Sequence, residues 1–208
     1  KLTNSAIPGP KPKFMVIAAI HAREYTTAET ATRFAEHLVT HYGVDADITM
    51  LLDHYEVHIL PQTNPDGRKI AEGGTLWRKN RNNTDGCGNS NYGVDLNRNS
   101  GYQWGGSGSS GDACSQTFRG SAPNSEPEIQ AIHSYAASIF PDQKGPGIND
   151  PAPDDATGVF ITIHSYSELV LPVWGWTDLA SPNETAMMTL GRKFGFFNNY
   201  EVCNDCLY

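Results

Sequence analysis

The stretch Phe14-Met15-Val16-Ile17-Ala18-Ala19-Ile20-His21-Ala22-Arg23-Glu24 decides the fold. Phe14 to Ile20 is a near-continuous apolar run of strand length. That is the pattern of a strand covered on both faces of its sheet. Thr26-Thr27-Ala28-Glu29 follows, and Thr26-x-x-Glu29 has the form of a capping box that opens a helix. A buried strand running into a capped helix is one unit of an α/β sheet. His21 and Glu24 then lie at the strand's carboxyl edge, where ligands of open α/β sheets gather. An imidazole and a carboxylate there, with a second imidazole from elsewhere, would grip one zinc ion and leave a position open for water. Alone, His-x-x-Glu is a weak signal.

Outward from this stretch the chain alternates strands and helices. Ala31, Phe34, Ala35, Leu38, Val39 and Tyr42 follow helical spacing, and Gly43 stops that helix. His37 and His41 lie four apart on it. They suggest a metal pair, but no acidic third partner is evident, and a solvated helix face is the simpler reading. His54 to Pro61 alternates as a second strand, ending in Asn64-Pro65-Asp66-Gly67, two turn dipeptides in succession. Ala71 to Gly120 is loop-rich and carries Cys87 and Cys114. A disulfide between them would order it by roughly 3 kcal/mol on a loop-entropy argument.

Ser125-x-x-Glu128 forms a second capping box, with Pro127 in the first turn. Gly158 to Ile163 is a third buried strand and runs straight into His164. Ser181-Pro182-Asn183-Glu184 opens a last helix with Met187, Leu190, Phe194 and Phe197 inward, and Tyr200 to Tyr208 reads as a strand. The pattern predicts an α/β fold with a mixed, mostly parallel sheet sandwiched by helices.

The bulk numbers narrow the partners. The chain has 208 residues, enough for one domain with a substantial core. A formal net charge of −8 argues against nucleic acid or an anionic membrane. No apolar run approaches the ~20 residues of a membrane span. No secretory leader opens the chain, so a mature or separately cloned chain is expected. Four cysteines point to an oxidising compartment. Sequons at Asn82 and Asn183 matter only in a eukaryotic source.

His21 and His164 both follow apolar strands, and that shared position pairs them as metal ligands with Glu24 as the third. Arg78, in Leu76-Trp77-Arg78-Lys79, could steady the oxyanion of a tetrahedral intermediate near a metal.

Five ordered motifs then carry a resemblance. They are His-Ala-Arg-Glu at 21–24, Asn-Pro-Asp-Gly at 64–67, Leu-Trp-Arg-Lys at 76–79, Gly-Val-Asp-Leu-Asn-Arg-Asn at 93–99 and His-Ser-Tyr-Ser at 164–167. Together they resemble the zinc metallocarboxypeptidases of the pancreatic carboxypeptidase A/B type, over essentially the whole chain. The resemblance implies a zinc-dependent exopeptidase that hydrolyses the last peptide bond, with one Zn2+ per chain on His21, Glu24 and His164. It gives Arg78 the scissile carbonyl and Asn97 and Arg98 the substrate's terminal carboxylate. It gives Arg23 and Tyr166 outer contacts. Asp95 would orient a zinc histidine through its free ring nitrogen. Cys87 and Cys114 match the family's disulfide. The expected partners are peptide or protein C-termini, and a propeptide or the remainder of the catalytic domain; the expected location is extracellular.

Two departures accompany the resemblance. Family members carry further chain before the His-x-x-Glu motif, whereas twenty residues precede His21 here. Counting from Phe194-Gly195, Tyr208 falls where a mobile active-site tyrosine is expected, and the family's general-base glutamate should lie beyond it. Neither Glu168 nor Glu201 sits in that context. The expectation is a single, incomplete catalytic domain over 1–208. Its rival functions are a catalytically impaired zinc- or peptide-binding module and a zinc deacylase of N-acyl amino acids. Cys203 and Cys206 read as a local disulfide or buried thiols rather than a redox pair. Which C-terminal side chain is preferred stays open at this level.

Overall fold

The computed structural model describes residues 1–88 and 90–203. They divide into two compact units, Lys1–Pro141 with Thr157–Ser165, and Asp142–Ala156 with the segment from Tyr166 onward.

The first unit is built on β1 (Lys13–Ala18). It lies between β2 (Glu56–Leu60) and β3 (Val159–Ile163) in a parallel sheet ordered β2-β1-β3. The register sets Ala18 beside Ile163, so the carboxyl ends of β1 and β3 emerge together. Both faces of β1 are covered, which is why its sequence is continuously apolar. Met15 and Ile17 pack with Ile20, Leu96, Ile129 and Ile132. Phe14 packs on the other face with Phe34, Leu38, Leu52 and Val57. Each such fully buried aliphatic side chain contributes roughly 1.5–3 kcal/mol. β3 departs from the buried strand expected of it. Phe160 is 47% exposed, because β3 is a rim strand among the described residues.

The helices cover this sheet, and several begin differently from the sequence expectation. α1 (Tyr25–His41) starts before the expected capping box. Glu24 holds its cap position without a side-chain cap bond. The Thr27 hydroxyl works there instead, donating to the Glu24 carbonyl at 2.7 Å and accepting from the Ala19 amide at 3.0 Å. Glu29 pairs with Arg33 on the surface. α2 (Ala46–His54), which periodicity left unread, is capped by Asp45 through the amides of Asp47 and Ile48.

Asn64-Pro65-Asp66-Gly67, expected as a turn, opens α3 (Pro65–Ala71). Pro65 needs no amide partner in the first turn, and Asn64 Oδ1 accepts from the Gly67 amide. α4 (Pro127–Ile139) is preceded by Glu126 rather than capped by Ser125. Glu126 is buried and takes hydrogen bonds from Asn80, Asn82 and Ser125 instead.

Among the described residues between α3 and α4, the chain carries one 3-10 turn, Leu96–Arg98, and an isolated parallel bridge between Ser110 and Phe118. It is ordered by polar anchors. Asn99, fully buried, donates to the carbonyls of Arg119 and Ala122, and its Oδ1 accepts from the Glu126 amide. A disulfide joins Cys87 and Cys114. The buried Lys79 ammonium donates to the carbonyls of Ala113 and Ser115, on either side of Cys114.

In the second unit β4 (Leu169–Val170) and β5 (Glu201–Val202) pair in parallel, and α5 (Glu184–Asn198) packs on them. The buried face of α5 is made by glycine. A methyl group on Gly191 would sit 2.7 Å from Val202. Phe194 and Phe197, expected inward, are exposed, Phe197 by 87%. Hydrophobic periodicity misplaces the face because glycine does not register in it. No helix among the described residues is long and apolar enough to cross a membrane. The strand expected to Tyr208 is described only at Glu201–Val202; Cys206 and Tyr208 lie outside the described residues.

Gly67 tests the packing of the first unit. A Cβ there would lie 2.4 Å from the Lys79 carbonyl and 2.6 Å from Asn64 Oδ1. Gly67→Ala should cost roughly 2–3 kcal/mol in a denaturant titration. Gly88→Ala, with open space around it, should stay within about 0.5 kcal/mol of the parent.

Candidate metal centre

The two strand ends bring three side chains together. His21 and Glu24 follow β1, His164 follows β3, and one ligand atom of each lies within 4.8 Å of the others. Ala19, just after β1, adopts a left-handed φ of 54° and turns the chain toward His21. His21 Nδ1 is 2.7 Å from Glu24 Oε1 and 3.2 Å from His164 Nδ1. Glu24 Oε2 lies 3.3 Å from His164 Nδ1 and accepts the Ser165 amide at 3.1 Å. His21 and Glu24 are buried, whereas His164 is more open.

Charge and tautomer at this centre are set from behind. Asp95 is fully buried. Its Oδ1 lies 3.1 Å from His21 Nε2 and accepts the Asn97 amide at 3.0 Å. Its Oδ2 takes a forked pair from Arg78, Nε at 3.1 Å and Nη2 at 2.8 Å. With Nε2–H committed to Asp95, the His21 Nδ1 lone pair faces Glu24 and His164.

Two ring nitrogens and a carboxylate thus converge on one point with their lone pairs, short of positive charge. A proton or a divalent ion supplies it. Imidazole and carboxylate are the donor types zinc accepts, so the residues fit that ion. Without a metal, protons carry the balance. Burial works to raise the Glu24 pKa, but His164 and His21 overcome it and bring it down to about 2. Burial works to lower that of His21, but Asp95 and then Glu24 outweigh it and raise it. Asp95 is lowered despite its burial by His21 and Arg78.

The rest of the site hangs on the same frame. The Ala22 amide donates to the Arg78 carbonyl at 3.1 Å. Asn64, fully buried, donates through Nδ2 to the carbonyls of Ile20 at 3.2 Å and Lys79 at 3.0 Å. It therefore staples the residue before His21 to the residue after Arg78. The sequence reading missed this by taking Asn64 as a turn former; Asn before Pro is equally an N-cap signal.

Arg78 Nη1 is left facing the centre, 3.5 Å from His21 Nδ1. Arg98, on the 3-10 turn after Asp95, donates Nε to the Gly108 carbonyl and Nη1 to that of Asn97. Its remaining N–H groups are available to an anion. Asn97 and Arg23 are exposed. Tyr166, in the second unit, is 96% exposed. Beside Arg78, burial brings the Lys79 pKa down to about 8, against the pull of Asp95 and Asp112.

Sequence and structure comparisons identify the family and the fold. A sequence profile described as zinc carboxypeptidase matches residues 1–200, and the chain belongs to that family. It is 37% identical over 209 residues to mouse carboxypeptidase A2, covering 95% of this chain and 45% of the relative. A crystal structure of thrombin-activatable fibrinolysis inhibitor superposes with a TM-score of 0.79 at 26% identity, covering 95% of this chain and 47% of that one. Carboxypeptidase A from Helicoverpa armigera superposes with a TM-score of 0.74 at 31% identity, covering 89% and 41%. The chain thus spans about half the length of the relatives it matches.

The pKa of Glu24 gives a signed test. Its folded value, about 2, lies below its ordinary value of 4.5. Ionised Glu24 therefore stabilises metal-free protein above about pH 4.5, and that contribution is lost as pH falls toward 2. Glu24→Gln should remove this acid slope, on the order of 2–3 kcal/mol. Metal-free Glu24→Gln protein with the parent's stability profile between pH 5 and 2 would count against the pairing.

Proposed function

We propose that the chain is the part of a zinc carboxypeptidase that carries the metal ligands and the carboxylate-binding arginine, and that the protein removes C-terminal residues from peptides. The supporting observation is the convergence of His21 Nδ1, Glu24 and His164 Nδ1 on one point. Both units belong to one catalytic domain in this reading, because the family profile runs across them. The protein acts outside the cell, as the Cys87–Cys114 disulfide suggests.

His21, Glu24 and His164 would hold one zinc ion. When bound, zinc polarises a carbonyl oxygen and lowers the pKa of a water. Asp95 keeps the proton of His21 on Nε2, so that Nδ1 stays a ligand. It also grips Arg78 by two bonds, which aims Nη1 at the place where charge develops on a carbonyl oxygen. Asn97 and Arg98 would hold the terminal carboxylate, the guanidinium supplying paired donors. By the family resemblance Arg23 and Tyr166 would be the outer contacts, and Tyr208, outside the described residues, would be the mobile active-site tyrosine. Holding the carboxyl end at Arg98 while Arg78 addresses the adjacent carbonyl explains why cleavage would fall at the last bond.

Metal content tests the ligand set. His164→Ala should lose bound zinc after dialysis against a weak chelator, and unchanged stoichiometry would overturn the assignment. Steady-state kinetics on the full-length protein test the rest. Arg98→Ala should weaken binding of a C-terminal carboxylate by about 10- to 100-fold. Arg78→Ala should lower kcat by about 10²–10³.

A further inference from the structure

We propose a second metal site, for a divalent transition metal that favours imidazole, formed by His37 and His41 on the last turns of α1. It uses none of the residues of the first centre, and its test rests on the proposed function only in filling that centre with zinc beforehand. Glu24 precedes α1 and His41 ends it, seventeen residues on. At 1.5 Å per residue the two sites lie about 25 Å apart.

Three observations point to it. First, the imidazoles of His37 and His41 stand together, with ring centroids 4.1 Å apart and planes tilted by 41°. Both residues are exposed. Second, the tautomer of His41 is set. Its Nδ1 lies 3.0 Å from the His37 carbonyl, which can only accept. Nδ1 therefore carries the proton, and Nε2 of this exposed residue keeps its lone pair. This is the arrangement that prepares a histidine for a metal, a backbone carbonyl holding the other ring nitrogen.

Third, the surroundings favour a cation. The helix ends here, and the carboxyl end of a helix carries negative partial charge. Asp45 lies close by. The Ile48 amide holds its pKa down against desolvation, and the Asp47 amide, His41 and His37 add to the lowering. That carboxylate is the acidic partner which the sequence alone did not reveal. It caps α2 through Oδ1, so it acts on the site through its charge rather than as a direct ligand. Two imidazoles with open water positions suit Cu2+, Ni2+ and Zn2+, and the general order of affinities puts Cu2+ highest.

The test uses untagged protein whose His21–Glu24–His164 centre is already loaded with zinc, and Ni2+ alone as the probe. Calorimetric titration should show one further Ni2+ site. His37→Ala and His41→Ala should each weaken it at least tenfold, while His54→Ala should leave it unchanged. Paramagnetic Ni2+ should selectively broaden the ring-proton signals of His37 and His41. Both residues are exposed, so the substitutions should leave the fold intact, which a thermal melt checks. Ni2+ binding that survives in the His37→Ala/His41→Ala double variant, or that falls away with His54→Ala, would overturn the site.

Discussion

A single buried carboxylate sets the arrangement of the centre. Asp95 has no access to water, so its charge survives only where donors surround it. It finds four: a ring N–H of His21, the amide of Asn97, and Nε and Nη2 of Arg78. These belong to three segments far apart in sequence. Moving any of them would leave a buried charge under-satisfied, a cost on the order of 3–5 kcal/mol when a buried partner is lost. The centre is therefore positioned by an electrostatic requirement at its back, and its front is left for ligands.

Asn64 repeats this logic without charge. Its amide holds two carbonyls, and its oxygen caps α3. Glu24 shows the opposite trade. The residue at the cap position of α1 gives up capping so that its carboxylate can face two histidines, and Thr27 takes over part of the local bonding. Local helix signals fail at this point because the side chain that would supply the cap is committed to the site.

Much of this was legible beforehand, for identifiable reasons. β1 reads directly because burial on both faces writes a continuous apolar run. His164 reads because β3 ends in it. The helix starts were displaced at Glu24 and Glu126, where acidic side chains serve tertiary partners rather than the nearest amides. The inward face of α5 was lost because small residues make it. Asp45 beside the histidines of α1 stayed hidden, since it lies past the end of the helix, where helical spacing no longer indicates neighbours. The staple at Asn64 was hidden in a dipeptide that serves turns and helix starts alike.

The loop between Cys87 and Cys114 bears the 3-10 turn of Asn97 and Arg98. It is closed covalently at its base, and Lys79 grips the carbonyls on either side of Cys114. A protease that cuts once inside this loop would therefore not separate the two halves. The cut ends would stay tethered through sulfur, each still held by the anchors on its own side. Such nicked material would run as one species until reduced, and then part into two fragments.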